Sequence, residues 1–266
     1  MLEFAFMRKA LLSGFLLSIM IPLIGIVMVN RKTSMIGDAL SHTALTGVAM
    51  GLILGFDPLL GSAMVCVIAA FLIEFIRKKL PQYGDMATAV IMSTGLGIAA
   101  ILSDFAPGGN SFESYLFGSI SSVTSADVLN TSLIFILVLA LCISRYSALL
   151  AISIDNNTAR LAGVKVKIID MIFTFLSAVT IALAVKIIGA LMVTSLIVLP
   201  VATSLIISRS YKQTFFVTII LGIIYMMAGI ILSFHFDIKP GGAIVVNAVI
   251  GMLIFALYKK MRKTKA

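Results

Sequence analysis

Residues 31–55 read RKTSMIGDALSHTALTGVAMGLILG. Two cations, Arg31 and Lys32, open the stretch. Roughly 20 residues follow without another Lys or Arg, enough to cross a bilayer as a helix. Yet the run carries an acid and an imidazole near its start, Asp38 and His42. At a spacing of four they share one helical face, about 6 Å apart along the axis. Ser34 and Ser41 read as an extension of that polar stripe. A charged side chain inside a span costs about 2.5–3.5 kcal/mol on insertion scales, which marks the pair as a functional site. A carboxylate oxygen and an imidazole nitrogen both suit a borderline divalent ion such as Zn²⁺, Mn²⁺ or Fe²⁺.

The rest of the chain is of the same kind. Of its 266 residues 61% are hydrophobic and 12% charged, and the mean hydropathy is +1.16. Apolar spans recur from end to end, so the expected fold is all-α, a polytopic transmembrane helical bundle forming one membrane domain over 1–266. No G-x-x-x-x-G-K-[ST] run is present. The chain is therefore read as a non-enzyme, and any ATP that drives it is hydrolysed by another subunit. The net charge of +9 comes from cations clustered at span ends, the positive-inside pattern rather than a nucleic-acid surface. Cys66 and Cys142 fall within apolar spans and read as packing residues, with no disulfide implied.

In chain order, residues 1–12 read as an amphipathic segment in the interface before a first, retained span over 11–29. The second span is the Asp38/His42 helix, with Gly47, Gly51 and Gly55 forming a small-residue seam for a neighbouring helix. Spans over 59–76 and 86–102 follow, then an acidic outer stretch over 103–127, in which 112–120 reads as a short re-entrant or interfacial helix. A span over 128–144 leads to a polar segment. There 155–163 reads as a short cytoplasmic helix, capped by Asp155 and stopped by Gly163. A span over 168–185 ends in a tight outer turn at Lys186–Gly189. The next, over 190–207, is interrupted and kinked by Pro200. Spans over 215–232 and 243–257 complete a count of nine, or eight if one short span is misread. The N-terminus is then outside and the basic C-terminus inside.

Two ligands are too few for a transition ion, which takes four or more. The other histidine, His235, lies beside Asp237 in a stretch that reads as a solvated outer loop. The count closes if two copies pair across a two-fold axis, each giving one Asp and one His. The ion would then lie on the axis, with the second span facing its symmetry mate. Two other readings stand beside this one. The first is a stand-alone proton-coupled secondary metal transporter working through Asp38 and His42, although no internal repeat supports it. The second is a membrane scaffold or sensor in which the pair is only a buried hydrogen bond.

The run MIGDALSHTALTGVA at 35–49 resembles the signature of the ABC-3 family of zinc, manganese and iron permeases. SYLFGSI at 114–120, ARLAG at 159–163, GALMVTSLIVLPVAT at 189–203 and DIKPGGAIVV at 237–246 agree, in order, over nearly the whole chain. The resemblance implies a type II ABC-importer-like permease in the bacterial cytoplasmic (inner) membrane, homodimeric and surrounded by lipid. It implies two partners, an ATP-binding subunit that carries the ATP and an extracytoplasmic metal-binding protein. It implies no permanently bound cofactor, a divalent metal ion as cargo, and Asp38 and His42 as its ligands. It further implies that the segment holding Asp155, Ala159, Arg160 and Gly163 is the coupling helix that docks on the ATPase. One departure concerns that helix. Family members often carry acids just before ARLAG, whereas here only Asp155 of Asp155-Asn156-Asn157-Thr158 is charged. The resemblance does not separate zinc from manganese, but a small polar pair in a helix seam suits a bare ion rather than a chelate.

Overall fold

A computed structural model describes residues 3–106 and 109–264. Met1 and Leu2 of the amphipathic start, Pro107 and Gly108 of the outer stretch and Lys265 of the basic tail lie outside them. The described residues form twelve α-helices, a 3₁₀ turn at Pro81–Tyr83 and no strand. Eight helices are long and apolar enough to cross a membrane. They are α1 (Ala5–Asn30), α2 (Met35–Leu54), α3 (Pro58–Lys79), α4 (Gly84–Ser103), α6 (Ser125–Ser144), α9 (Val166–Ile188), α11 (Tyr211–Phe236) and α12 (Pro240–Thr264). A ninth apolar helix, α10 (Val193–Ile207), has 15 residues, which reach about 22 Å at 1.5 Å per residue. The remaining helices are short: α5 (Gly109–Phe117), α7 (Tyr146–Ile154) and α8 (Asn156–Leu161).

The most buried spans are α1, α2 and α9, while α4, α6 and α12 present most of their residues outward. Such an arrangement suits a membrane, where lipid-facing helices can stay apolar and inner ones carry the polar groups. The amphipathic start does not form a separate interfacial helix. The chain is helical from Ala5 through Asn30, because Met7 and Ala10 are fully buried in the core and no proline separates this start from the span. Pro22 lies inside α1. A Cβ on Gly222 of α11 would collide with the Pro22 ring and the Ser18 carbonyl, so these two helices approach with little between them.

The glycine seam of α2 is internal. A Cβ on Gly47 would collide with the Gly61 backbone of α3, and one on Gly51 with Pro58. Gly55 is not part of the seam. It ends the helix at φ 74°, a left-handed conformation that a side chain would strain. On another side α2 meets α4, where Thr46 Oγ1 donates to the Gly95 carbonyl at 2.6 Å. Cys66 packs into the same core, its thiol donating to the Leu40 carbonyl at 3.2 Å, and Cys142 is likewise buried and unpaired with another cysteine.

Several span boundaries differ from the sequence reading. Lys186 is not in a turn but in the last turn of α9, where its ammonium meets Asp127 at 2.7 Å. An ion-paired lysine can remain helical at a span end. The turn is Gly189–Met192, and Gly189 has φ 95°. The helix α10 runs unbroken across Pro200, which is buried within it. His235 stands on the last turn of α11 rather than in a loop. The segment α7 was not expected as a helix, since nine residues are too short to signal a span.

Candidate metal site

Asp38 lies in the first turn of α2, where the amide dipoles favour an acid, and His42 follows one turn later. Their side chains come together: His42 Nε2 is 3.6 Å from Asp38 Oδ1. That is too long for a good hydrogen bond. Ligands bound at about 2.1 Å and spread at the tetrahedral angle stand about 3.4 Å apart, so the gap matches the edge of a four-coordinate site. The Asp38 side chain is 26% exposed and that of His42 14%. With Met35 they make an open strip on the first half of α2, where Ile36 is half-buried and the other residues are buried. Ser41 does not extend that strip. It is fully buried and its hydroxyl turns back to the Asp38 carbonyl at 2.9 Å.

A third residue joins the pair. Thr194, on the second position of α10, donates its hydroxyl to Asp38 Oδ1 at 3.0 Å. Close packing enforces this meeting, because a Cβ on Gly37 would stand 2.6 Å from the Ile197 side chain. The other imidazole nitrogen, His42 Nδ1, is buried without a hydrogen-bond partner in the described residues. Among the described residues no group of three or more His, Cys, Asp or Glu side chains gathers to hold a metal. One chain thus supplies two candidate ligands and no more at this place.

The loop reading of His235 and Asp237 gives way to a helix end. His235 is exposed with Nδ1 3.1 Å from the Ile231 carbonyl, and Asp237 closes α11 in a left-handed conformation at φ 51°. Beside them lies an open cavity of about 960 Å³ lined by Phe6, Glu113, Ser119, Phe234, Asp237 and Lys239. It brings the stretches 113–121 and 233–240 together, and Lys239 and Glu113 pair across it at 3.0 Å.

The short helix at 155–163 forms as read. Asp155 caps α8 by accepting from Asn157 N at 3.1 Å and from Thr158 N at 2.9 Å, and Thr158 Oγ1 adds a bond at 2.6 Å. The Thr158 hydroxyl foremost, then the two amides, hold this exposed carboxyl below its ordinary range. Gly163 ends the segment at φ 80°. Ala159 is buried and anchors the helix, while Leu161 is 90% exposed. Neither Thr194 nor Leu161 is marked by its residue type. Only the fold shows that Thr194 meets Asp38 and that Leu161 stands exposed.

A sequence profile of the ABC 3 transport family matches residues 3–260. A Treponema pallidum (strain Nichols) protein named "Probable metal transport system membrane protein" is 32% identical over 258 residues, with 97% of each chain covered. The Haemophilus influenzae (strain ATCC 51907 / DSM 11121 / KW20 / Rd) "High-affinity zinc uptake system membrane protein ZnuB" is 28% identical, over 97% of this chain and 99% of that one. Among solved structures, "PsaBC from Streptococcus pneumoniae in complex with Fab" superposes with a TM-score of 0.85. Its identity is 26%, and 98% of this chain and 96% of that chain are covered.

Proposed function

The chain belongs to the ABC 3 transport family, and on that premise we propose that it is the permease subunit of an ATP-driven importer for a divalent transition-metal ion, zinc or manganese. The observation that carries the reading is the placement of Asp38 and His42. They stand at a ligand-to-ligand distance on the open strip of α2. A second copy related by a two-fold axis at that strip would bring two carboxylates and two imidazoles to one ion. Such a site is charge-compensating yet sparse, and a sparse site can release what it binds.

The reading implies a cycle. A loaded extracytoplasmic binding protein docks over the cavity between Glu113 and Lys239 and delivers the ion to the paired strips. The two Asp38 carboxylates offset part of the loss of hydration, and the His42 imidazoles complete the shell. An ATP-binding subunit engages α8 from the cytoplasmic side of a bacterial inner membrane. Its movement on hydrolysis opens the path inward. Leu161 suits the contact with that subunit. An apolar side chain 90% exposed on a capped, rigid helix is a ready anchor for a pocket.

The test is the metal content of the purified chain by elemental mass spectrometry after equilibration with Zn²⁺ or Mn²⁺. About one ion per two chains is expected from the two-fold arrangement. Absence of bound ion, or about one per chain in a monomer, would remove the shared site. Uptake into liposomes by the chain alone, driven by a pH gradient, would replace the reading with a proton-coupled carrier. A separate outcome concerns α8. Leu161→Asp should cut co-purification with the ATP-binding subunit by about tenfold or more, an interface anchor being worth ~2 kcal/mol. Metal binding to the permease should be unchanged. Full ATPase association by the Asp variant would free α8 of this role.

A further inference from the structure

One polar contact at the site involves a residue whose type carries no metal chemistry. Thr194 Oγ1 donates to Asp38 Oδ1 at 3.0 Å across 156 residues of sequence. The same oxygen is the one 3.6 Å from His42 Nε2. An ionised carboxylate oxygen accepts more than one bond. One lone pair on Oδ1 is therefore taken by the hydroxyl, and the carboxylate is fixed in the rotamer that aims at the imidazole. Without this bond the side chain of Asp38, a quarter exposed, would be free to turn toward the opening.

The position of Thr194 is itself well determined. It follows the turn Gly189–Met192, and that turn is held by backbone bonds to the end of α5. Ala190 N donates to the Tyr115 carbonyl at 2.9 Å, Leu191 N to Leu116 at 3.3 Å, and Ser119 N to Lys186 at 3.3 Å. A Cβ on Gly118 or on Gly189 would collide with the opposite backbone, so the two chain segments of this junction touch. On its other side α10 is seated by Ile197 against Gly25 and Gly37. The hydroxyl is thus presented by a rigid mount.

We infer that Thr194 is a positioning residue for the carboxylate: its hydroxyl fixes Asp38 Oδ1 beside His42 Nε2 and thereby sets the affinity of the site for the transported ion. The inference rests on the metal-site reading proposed above and deepens it. Partners that orient a ligating carboxylate from behind typically account for about 10–100-fold in metal affinity.

The experiment titrates the purified, metal-free full chain with Zn²⁺ and with Mn²⁺ by equilibrium dialysis and elemental analysis. Thr194→Val, Thr194→Ser and Asp38→Ala are compared with the parent, and the thermal midpoint of each metal-free protein is measured alongside. Thr194→Val, which keeps the shape and loses the hydroxyl, should weaken binding about tenfold. Thr194→Ser should restore binding to within about twofold, and the metal-free midpoints should coincide. If Thr194→Val does not fold, Thr194→Ala takes its place with the same expectation. Parent-like binding by the valine or alanine variant, with binding lost in Asp38→Ala, would overturn the positioning role while leaving the site in place. A serine variant as weak as the valine one would show that keeping the hydroxyl does not keep the affinity, and would overturn the positioning role too. Parent-like binding by Asp38→Ala would remove the metal-site reading and the role of Thr194 with it.

Discussion

Asp38→Ala and His42→Ala should each abolish metal uptake while leaving the permease folded. In a site shared by two copies, either change removes two ligands at once and leaves two, below the four that a transition ion takes. A loss of about 100-fold or more in binding is the minimum expected for each. The fold should tolerate both changes. The two side chains sit on a partly open strip, alanine is the best helix former, and the nearby core is set by Gly37 against Ile197 rather than by either side chain. Asp38→Asn separates charge from shape. It can still accept the Thr194 hydroxyl but offers the ion no full charge, so it should behave like the alanine variant in uptake. Radiolabelled zinc or manganese accumulation in cells that rely on this transporter measures the effect. Uptake at the parental rate by either alanine variant would place the ion elsewhere.

Asp127→Ala should be the most damaging single change to stability. The carboxylate serves two purposes. Oδ2 accepts from Thr124 N and from Thr124 Oγ1, both at 2.7 Å, completing a capping box at the start of α6. The same oxygen meets Lys186 Nζ at 2.7 Å with both side chains almost enclosed. Its removal strands an ammonium away from water, which costs about 3–5 kcal/mol, and loses a cap worth ~1 kcal/mol. Lys186→Met removes the other partner but keeps the cap, so its effect should be smaller. The double change should recover most of the loss of Asp127→Ala, because no charge is left unpaired. Thermal unfolding of the three variants in one detergent decides it. A double variant whose loss equals the sum of the two singles would show that the pair is not coupled.

How much of this was legible in the sequence depended on the range of the interaction. Hydropathy resolves spans because each is a local average over about 20 residues, and it found every long helix. The pair Asp38 and His42 was visible for a related reason, since a helix turns residues at a spacing of four onto one face. Interactions between distant residues carry no such local signal. Asp170 lies buried at the start of α9, bonded to Arg31 at 2.9 Å, and in the sequence it is merely an acid near a span end. Thr194 reads as one more small polar residue in an apolar run until α10 is laid against α2. The merging of the first twelve residues into α1 depended on Met7 and Ala10 finding a core that only the assembled bundle provides. Gly55 resembled its neighbours Gly47 and Gly51 by spacing alone, and backbone conformation distinguishes it.

Ion pairs at the two ends of α9 carry a mechanical consequence. Asp170 is tied to Arg31 at one end and Lys186 to Asp127 at the other, about 24 Å apart along the axis at ~1.5 Å per residue. A hydrogen-bonded helix changes its length very little, so α9 is a strut riveted at both ends. Neither end can slide along it independently of the other. A shift of α6 at one rivet is delivered to the α1–α2 turn at the other as a tilt of the whole rod, unless a rivet gives way. Arg31 opens the short turn that leads into the Asp38 helix, so one end of the lever is joined to that helix by four residues of chain and the other to the start of α6.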